Sequence, residues 1–178
     1  MIWRLSHRAD PRARDVADRH YNRQKIGTPQ FVPPGRCVVL YADTCAGKAF
    51  WVTSWPFAEY VKHAWGGAWI CAAFRNENCG TASHLIRDAV AATRFFMGEP
   101  PPLGMVTFVD RRKVRPTMRR GVKTWGYTYA LVGFEPCGET KGGLLAFRLA
   151  PDQMPPARMP LIEFENAELA TRTIARHC

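Results

Sequence analysis

Residues 68–97 constrain the fold more than any other part of the chain. Ala68-Trp69-Ile70-Cys71-Ala72-Ala73-Phe74 is an unbroken apolar run of strand length, the pattern of a strand covered on both faces. Residues 82–97 place Leu85, Ile86, Ala89, Val90, Thr93, Phe96 and Met97 at helical spacing, with His84, Arg87, Asp88 and Arg94 largely opposite. Gly98 and the prolines at 100–102 stop that helix. Between the two sits a small polar turn, Asn76 to Thr81. A strand, a polar turn and a helix start put unpaired amide groups and the positive end of a helix dipole in one place, where an anion can rest. Such units are common, and by itself this one demands no ligand.

The flanking sequence predicts the rest of an α/β (α+β) domain. Asp10-Pro11 is a helix start, a capping carboxylate followed by proline at the first helical position, and the helix is expected to run to about Gln24. Strands at 37–41 and 49–53 form a hairpin whose turn, 43–47, is longer than the tightest type. The stretch 55–67 is aromatic and ambiguous, its Trp55, Phe57, Tyr60 and Trp65 reading as core or loop packing before a ligand platform. A strand at 104–110 follows, then a loop at 111–123, a short helix at 124–131, strands at 135–139 and 144–149, and a proline-rich connector after Leu149. The expected organisation is one domain over 1–150 and a tail over 151–178, helical at 163–176.

Composition enters as a set of exclusions. With 178 residues, 47% hydrophobic and 22% charged, the chain can bury a core and is not globally disordered. No apolar run reaches the ~20 residues of a membrane span, and the basic N-terminus lacks an apolar leader. The six cysteines show no C-x-x-C clip, so free thiols in a reducing cytoplasm and no metal site are expected. A net charge of +10 points to a polyanionic partner, nucleic acid first, against the plain alternative of a basic soluble protein. The charge is concentrated in Arg111, Arg112, Lys113, Arg115, Arg119, Arg120 and Lys123, which follow directly on the strand ending at Asp110. They are therefore placed at the mouth of any cleft at that strand's end, to hold phosphates. The phosphate loop of Walker type, the nucleophile elbow and the dinucleotide glycine fingerprint are all absent.

The order of elements over residues 10–149, and above all Tyr127-Thr128-Tyr129-Ala130-Leu131-Val132-Gly133-Phe134, resembles the GNAT-type N-acyltransferases. That resemblance implies a central mixed, mostly antiparallel sheet splayed between two parallel strands and flanked by helices. It implies acetyl-coenzyme A or a related acyl donor as cofactor, lying against Phe74 and Arg75 with its phosphates near Asn76, Asn78, Gly80, Thr81 and Ala82. Tyr129 stands where the family has a tyrosine that returns a proton to the departing thiolate. Arg75, Asn78 and Gly80 fall out of register with the family's usual phosphate turn, although Gly80-Thr81-Ala82 keeps its Gly-x-Ala ending; this leaves the donor open.

A narrower set, FRNE, AS-H-L-I, T-F-V-D and W-G-Y-T-Y, is similar to the phage Mom-type proteins, which modify adenine in DNA. Their site residues carry over to Ser83, Asp110, Tyr127 and Tyr129, and His20-Tyr21 matches a dipeptide of that branch. The implied partner is duplex DNA with a flipped base, stacked on Trp125, Tyr127, Tyr41 or the 55–65 aromatics. Two other readings stand beside it: an ordinary N-acetyltransferase of a protein or small amine, and a non-catalytic nucleic-acid-binding module. His20, His63 and His84 read as structural before catalytic, and the sequence does not show whether any of them sits in the site.

Overall fold

The computed structural model describes residues 1–32, 35–56, 61 and 63–161. The elements run β1 (Arg4–Ser6), α1 (Pro11–Asp18), β2 (Arg36–Thr44), β3 (Gly47–Trp55), β4 (Trp69–Glu77), α2 (Ala82–Met97), β5 (Met105–Val109), β6 (Thr117–Arg119), β7 (Val122–Thr124), α3 (Tyr127–Ala130), β8 (Glu135–Glu139) and β9 (Leu145–Leu149). The fold is mixed α/β. One seven-stranded sheet has the order β1-β2-β3-β4-β5-β9-β8, and β6-β7 form a separate two-stranded ribbon.

Alternation along the strands explains the layers. In β2 and β3, Val38, Leu40, Ala42, Ala49 and Trp51 point into the larger core beneath α2. Their neighbours Val39, Tyr41, Phe50 and Val52 point the other way, into a smaller core closed by Ala13, Val16 and Ala17 of α1. Both sheet faces are thus covered, which is why these strands read as continuous apolar runs. Trp3, Trp51 and Trp69 are fully buried, and each contributes roughly 4–6 kcal/mol of apolar burial as an upper value.

Every neighbouring pair in the sheet is antiparallel except β4 and β5, which α2 connects. That parallel ladder is short: Trp69 pairs with Met105, Ile70 with Val106 and Cys71 with Thr107, and there it stops. Each strand goes on with its outer partner, β4 along β3 to Asn76 and β5 along β9 to Val109. The register against β3 shifts at the same place. Thr53 faces Cys71 and Val52 faces Ala73, so Ala72 is an extra, bulged residue. A bulge bends its strand and sharpens the local twist. Here it turns β4 away from β5, and a slot opens between them.

Several expectations change. The first helix ends at Asp18, not near Gln24: residues 19–22 form a turn in which the Arg19 and His20 amides donate to Val16 and Ala17 oxygens. The β2–β3 turn is the tightest kind, with only Cys45 and Ala46 between the paired Thr44 and Gly47. The stretch 111–123 is not all loop, since it contains the β6–β7 hairpin. The helix expected over 124–131 shrinks to Tyr127–Ala130 because Thr124 pairs with Thr117. β1 was not expected; it pairs with β2 on one side, and Leu161 exchanges backbone hydrogen bonds with Trp3 and Leu5 beside it. The connector therefore packs back on the domain, with Arg158 N–H donating to Ala91 O on α2. The tail helix and the aromatics Phe57 and Tyr60 lie outside the described residues.

The end of β4 is tied to α1 through one carboxylate. Glu77 accepts two hydrogen bonds from Arg19, at 2.9 and 2.7 Å, and one from Arg75 at 2.7 Å, while Arg75 also donates to Arg19 O at 2.8 Å. The Arg19 hydrogen bonds, then the one from Arg75, hold the Glu77 carboxyl down at about 2, below its usual 4.5, against a partial burial that acts the other way. A depressed carboxyl stabilises the fold above its unfolded value, and the gain disappears as pH falls through the folded one. Both arginines are substantially solvent-exposed, so screening trims the full linkage value. Glu77→Gln should cost about 1 kcal/mol in urea unfolding at pH 7. The difference from the parent should shrink between pH 4.5 and pH 2 and be nearly gone at the acid end.

Candidate functional site

The slot between β4 and β5 is a cleft of about 290 Å³. Phe74, Arg75 and Asn76 form one wall and Thr107, Phe108 and Val109 the other, with Cys71 at the point where the strands part. His20 and Tyr21, just after α1, close one side; Tyr127, Thr128 and Tyr129 of α3 close the opposite side. Arg115, Thr117 and Thr124 stand at the mouth.

Gly126 fixes where α3 starts. Its φ of 69° lies in the left-handed region, and a Cβ there would come within 2.4 Å of the Phe147 ring. Only glycine combines that backbone with that approach. From this start Tyr129 N–H donates to Gly126 O at 2.9 Å, and Phe134 N–H donates to Tyr129 O at 3.2 Å. The Tyr129 ring packs edge-on against Phe134 and Phe74, with centroids 5.3 and 6.5 Å away. The hydroxyl is thereby aimed at the strand-parting point, 3.7 Å from Cys71 Sγ. Thr107 O–H donates to Cys71 O at 3.4 Å.

Burial pushes the Tyr129 phenol well above its usual value, and the neighbouring Cys71 sulfur adds to this; a hydrogen bond with Thr107 opposes it. Burial also pushes the Cys71 thiol up to about 12, against hydrogen bonds to Thr107 and Tyr129. Both groups are therefore neutral at neutral pH. A neutral phenol can donate a proton, whereas a thiol that resists ionisation is no nucleophile.

The opposite side is built on the turn after α1. The His20 and Tyr21 rings stack at 4.5 Å, and His20 Nδ1 contacts Asn22 Oδ1. Burial lowers the His20 value, with the Asn22 hydrogen bond opposing and the Arg75 charge adding to the fall. Tyr21 O–H donates to Phe108 O at 3.3 Å, and burial raises its value. Asn22 Nδ2 donates to Ala72 O at 2.7 Å. That bond satisfies a carbonyl at the bulge and ties the α1 side to the parting of the strands.

Of the residues singled out in the sequence, the cleft gathers Tyr127, Tyr129, Phe74, Arg75, Asn76 and Arg115. Asp110 lies at the end of β5 but outside the lining. Arg112 donates to its carboxylate from backbone N, Nε and Nη2, and these bonds, the side-chain ones first, hold its value low. Its backbone oxygen accepts from Lys113 and Val114 N–H, so Asp110 organises the turn leaving β5.

Ser83, Asn78, Gly80, Thr81 and Ala82 sit around the start of α2, beyond the cleft lining. Asn78 has φ 61°, Asn76 clamps the turn by donating to Gly80 O, and Thr81 makes no side-chain cap. In the basic stretch, Arg111 pairs with Glu139 at 2.6 Å, and Lys113 donates to Tyr21 O at 3.4 Å. Arg119 lies over the Tyr127 ring at 4.7 Å; Arg120 and Lys123 are exposed.

Tyr41 is buried in the α1-side core and Trp55 packs on Trp69, so neither reaches the cleft. Trp65 and His63 instead surround Phe108 of the cleft wall. Trp125, partly buried, donates to Val114 O. Missed from the sequence were Cys71 and Thr107, which read as ordinary strand residues, and His20 and Tyr21, whose only signal was a matching dipeptide. Among the described residues no cluster of His, Cys, Asp and Glu could hold a metal, and no helix is long and apolar enough to cross a membrane. Comparison of the chain with protein-family models, curated proteins and solved structures finds no match.

Gly126→Ala should destabilise the protein by about 2 kcal/mol, through the left-handed backbone and the Phe147 contact together. Thermal unfolding would measure this; a melting point equal to that of the parent would mean that Gly126 does not set the position of α3.

Proposed function

We propose that the protein is a GNAT-like N-acyltransferase that places an acyl-type group on the exocyclic amine of a DNA base, adenine first, in the manner of the Mom-type proteins. One observation carries the reading most. The cleft has a protonated phenol at its floor and two arginines, Arg75 and Arg115, on its lining, and among the described residues no Asp or Glu lines it. A cationic amine such as lysine or a polyamine would find no carboxylate on the lining and would meet the charge of Arg115, Arg75 being paired with Glu77. A neutral nucleobase carried on a phosphate backbone fits on both counts. The sheet order with a single parting parallel pair agrees with the acyltransferase resemblance.

The residues present suit an acyl-coenzyme A-type donor. Ala72 and Ala73 leave the cleft wall low beside the bulge. The start of α2 has no side-chain cap, and a Cβ at Gly80 would meet nothing closer than 3.9 Å, so its amides are approachable by phosphate oxygens. A bound thioester would supply the activated acyl carbon. Tyr129 would hold a proton on Oη beside the parting point for the departing thiolate, and the proton released by the amine as the amide bond forms and the thioester C–S bond breaks would restore the phenol. The aromatic groups of the cleft, Tyr127 and Phe108, offer faces for a base. An aryl amine is a weak nucleophile, so holding it in place does much of the work.

Expression in a bacterium, digestion of the host DNA to nucleosides and mass spectrometry should reveal a mass-shifted deoxyadenosine. Tyr129→Phe should lower its yield by about 10²–10⁴-fold. Unmodified DNA together with coenzyme A-dependent heat stabilisation would transfer the assignment to acetylation of another amine. Salt-sensitive DNA binding with neither would leave a binding module.

A further inference from the structure

The hairpin β6–β7 stands away from both cores. Thr117 pairs with Thr124, Met118 with Lys123 and Arg119 with Val122. Arg120 and Gly121 close it, with φ of 47° and 80°, the backbone of a type I′ turn. Residues 117–123 are all exposed. A two-stranded ribbon with no core is marginal in water, so it needs an anchor. That anchor is Arg119, whose guanidinium lies 4.7 Å above the Tyr127 ring and donates to its hydroxyl. The hairpin is thus fastened to α3, the helix that carries Tyr129.

Cross-strand pairs alternate between the two faces of a ribbon. Thr117 and Thr124 line the cleft. Arg119 and Val122, two residues further along, share that face at the tip, and Met118 and Lys123 take the other. Val122 is 64% exposed and Met118 58%. Bulky apolar groups on a solvated tip add nothing to the core and invite association. The charges around them have a direction too. Arg111 and Arg112 are paired locally with Glu139 and Asp110, whereas Arg120 and Lys123 make no ion pair among the described residues. With +10 on the whole chain, the partner of this tip is a polyanion with apolar interior surface within reach. Duplex DNA is that partner, its phosphates outside and its base stack within.

We infer that the β6–β7 hairpin enters a groove of duplex DNA, with Arg120 and Lys123 on phosphates and Val122 filling the stacking space left by the base that moves into the cleft. The inference rests on the DNA-base reading above and adds to it the element that opens the duplex. Displacing a base from a duplex costs a few kcal/mol, and an apolar side chain inserted in the stack offsets part of it. A single-stranded substrate needs no such help.

The test uses the full chain and short duplexes carrying 2-aminopurine, whose fluorescence rises when the base leaves the stack. Without any donor, the parent protein should raise the signal on binding. Val122→Ser should bind the duplex yet lose most of that rise, and Met118→Ser, on the far face, should keep it. In the modification assay Val122→Ser should fall by about tenfold or more on duplex DNA and stay unchanged on the single strand. An equal fluorescence rise for Val122→Ser and parent, or none for either, overturns the wedge. So does tighter binding of the parent to anionic phosphatidylserine vesicles than to duplex at equal salt. A fluorescence rise that depends on Val122, with no modified base from either substrate, keeps the wedge and removes the acyltransferase reading.

Discussion

The three-residue length of the ladder between β4 and β5 governs the rest of the molecule. A parallel pair inside a sheet has no intrinsic reason to part, because each lost backbone hydrogen bond must be replaced. Here the outer antiparallel partners hold on for longer than the inner one, β3 to Asn76 and β9 to Val109. The bulge at Ala72 adds the bend at the residue after Cys71, where the ladder ends. Asn22 takes the Ala72 carbonyl that the bulge releases, and Thr107 reaches across to the Cys71 carbonyl. The cleft is therefore a consequence of sheet topology, with the carbonyls freed at the parting taken up from both sides.

The charge distribution follows the same geometry. Glu77, at the end of β4, draws Arg19 and Arg75 together and pins α1 over the cleft's edge. Asp110, at the end of β5, takes Arg112 and sets the turn that leads to the hairpin. Each diverging strand thus ends in a carboxylate that is spent on organising its own exit. What remains facing the cleft is neutral or positive. That division of labour explains how Asp110 can stand at a strand end without lining the site.

Sequence alone made the central unit legible, because the apolar run and helix of residues 68–97 obey single, strong periodicities. Tyr129 was marked only by the resemblance to the GNAT-type acyltransferases, through its place before Gly133-Phe134. The sequence did not reveal the bulge at Ala72, since one alanine among others in an apolar run carries no sign of register. It could not assign His20, Tyr21 or Thr107 to the cleft, because their neighbours there come from β4, β5 and α3, far away in the chain. The stretch 111–123 was misread for a definite reason. Pro116 and Gly121 are loop-forming residues, but Gly121 follows Arg120 in a turn with positive φ at both positions, and such a turn closes a hairpin. β1 escaped because three residues beside a terminus have too little pattern to count.

The protonation state of the cleft decides what chemistry it can run. Burial raises both the Tyr129 phenol and the Cys71 thiol; the contact between them raises the phenol further and opposes the rise of the thiol. A site built to attack a substrate would do the reverse and lower one of them. A site built to end a reaction, by supplying a proton to a group that leaves with a negative charge, needs a donor that stays protonated until that charge appears beside it. In the proposed reading Tyr129, at the point where two strands part and held there by Gly126 on one side and Phe134 on the other, would meet that need.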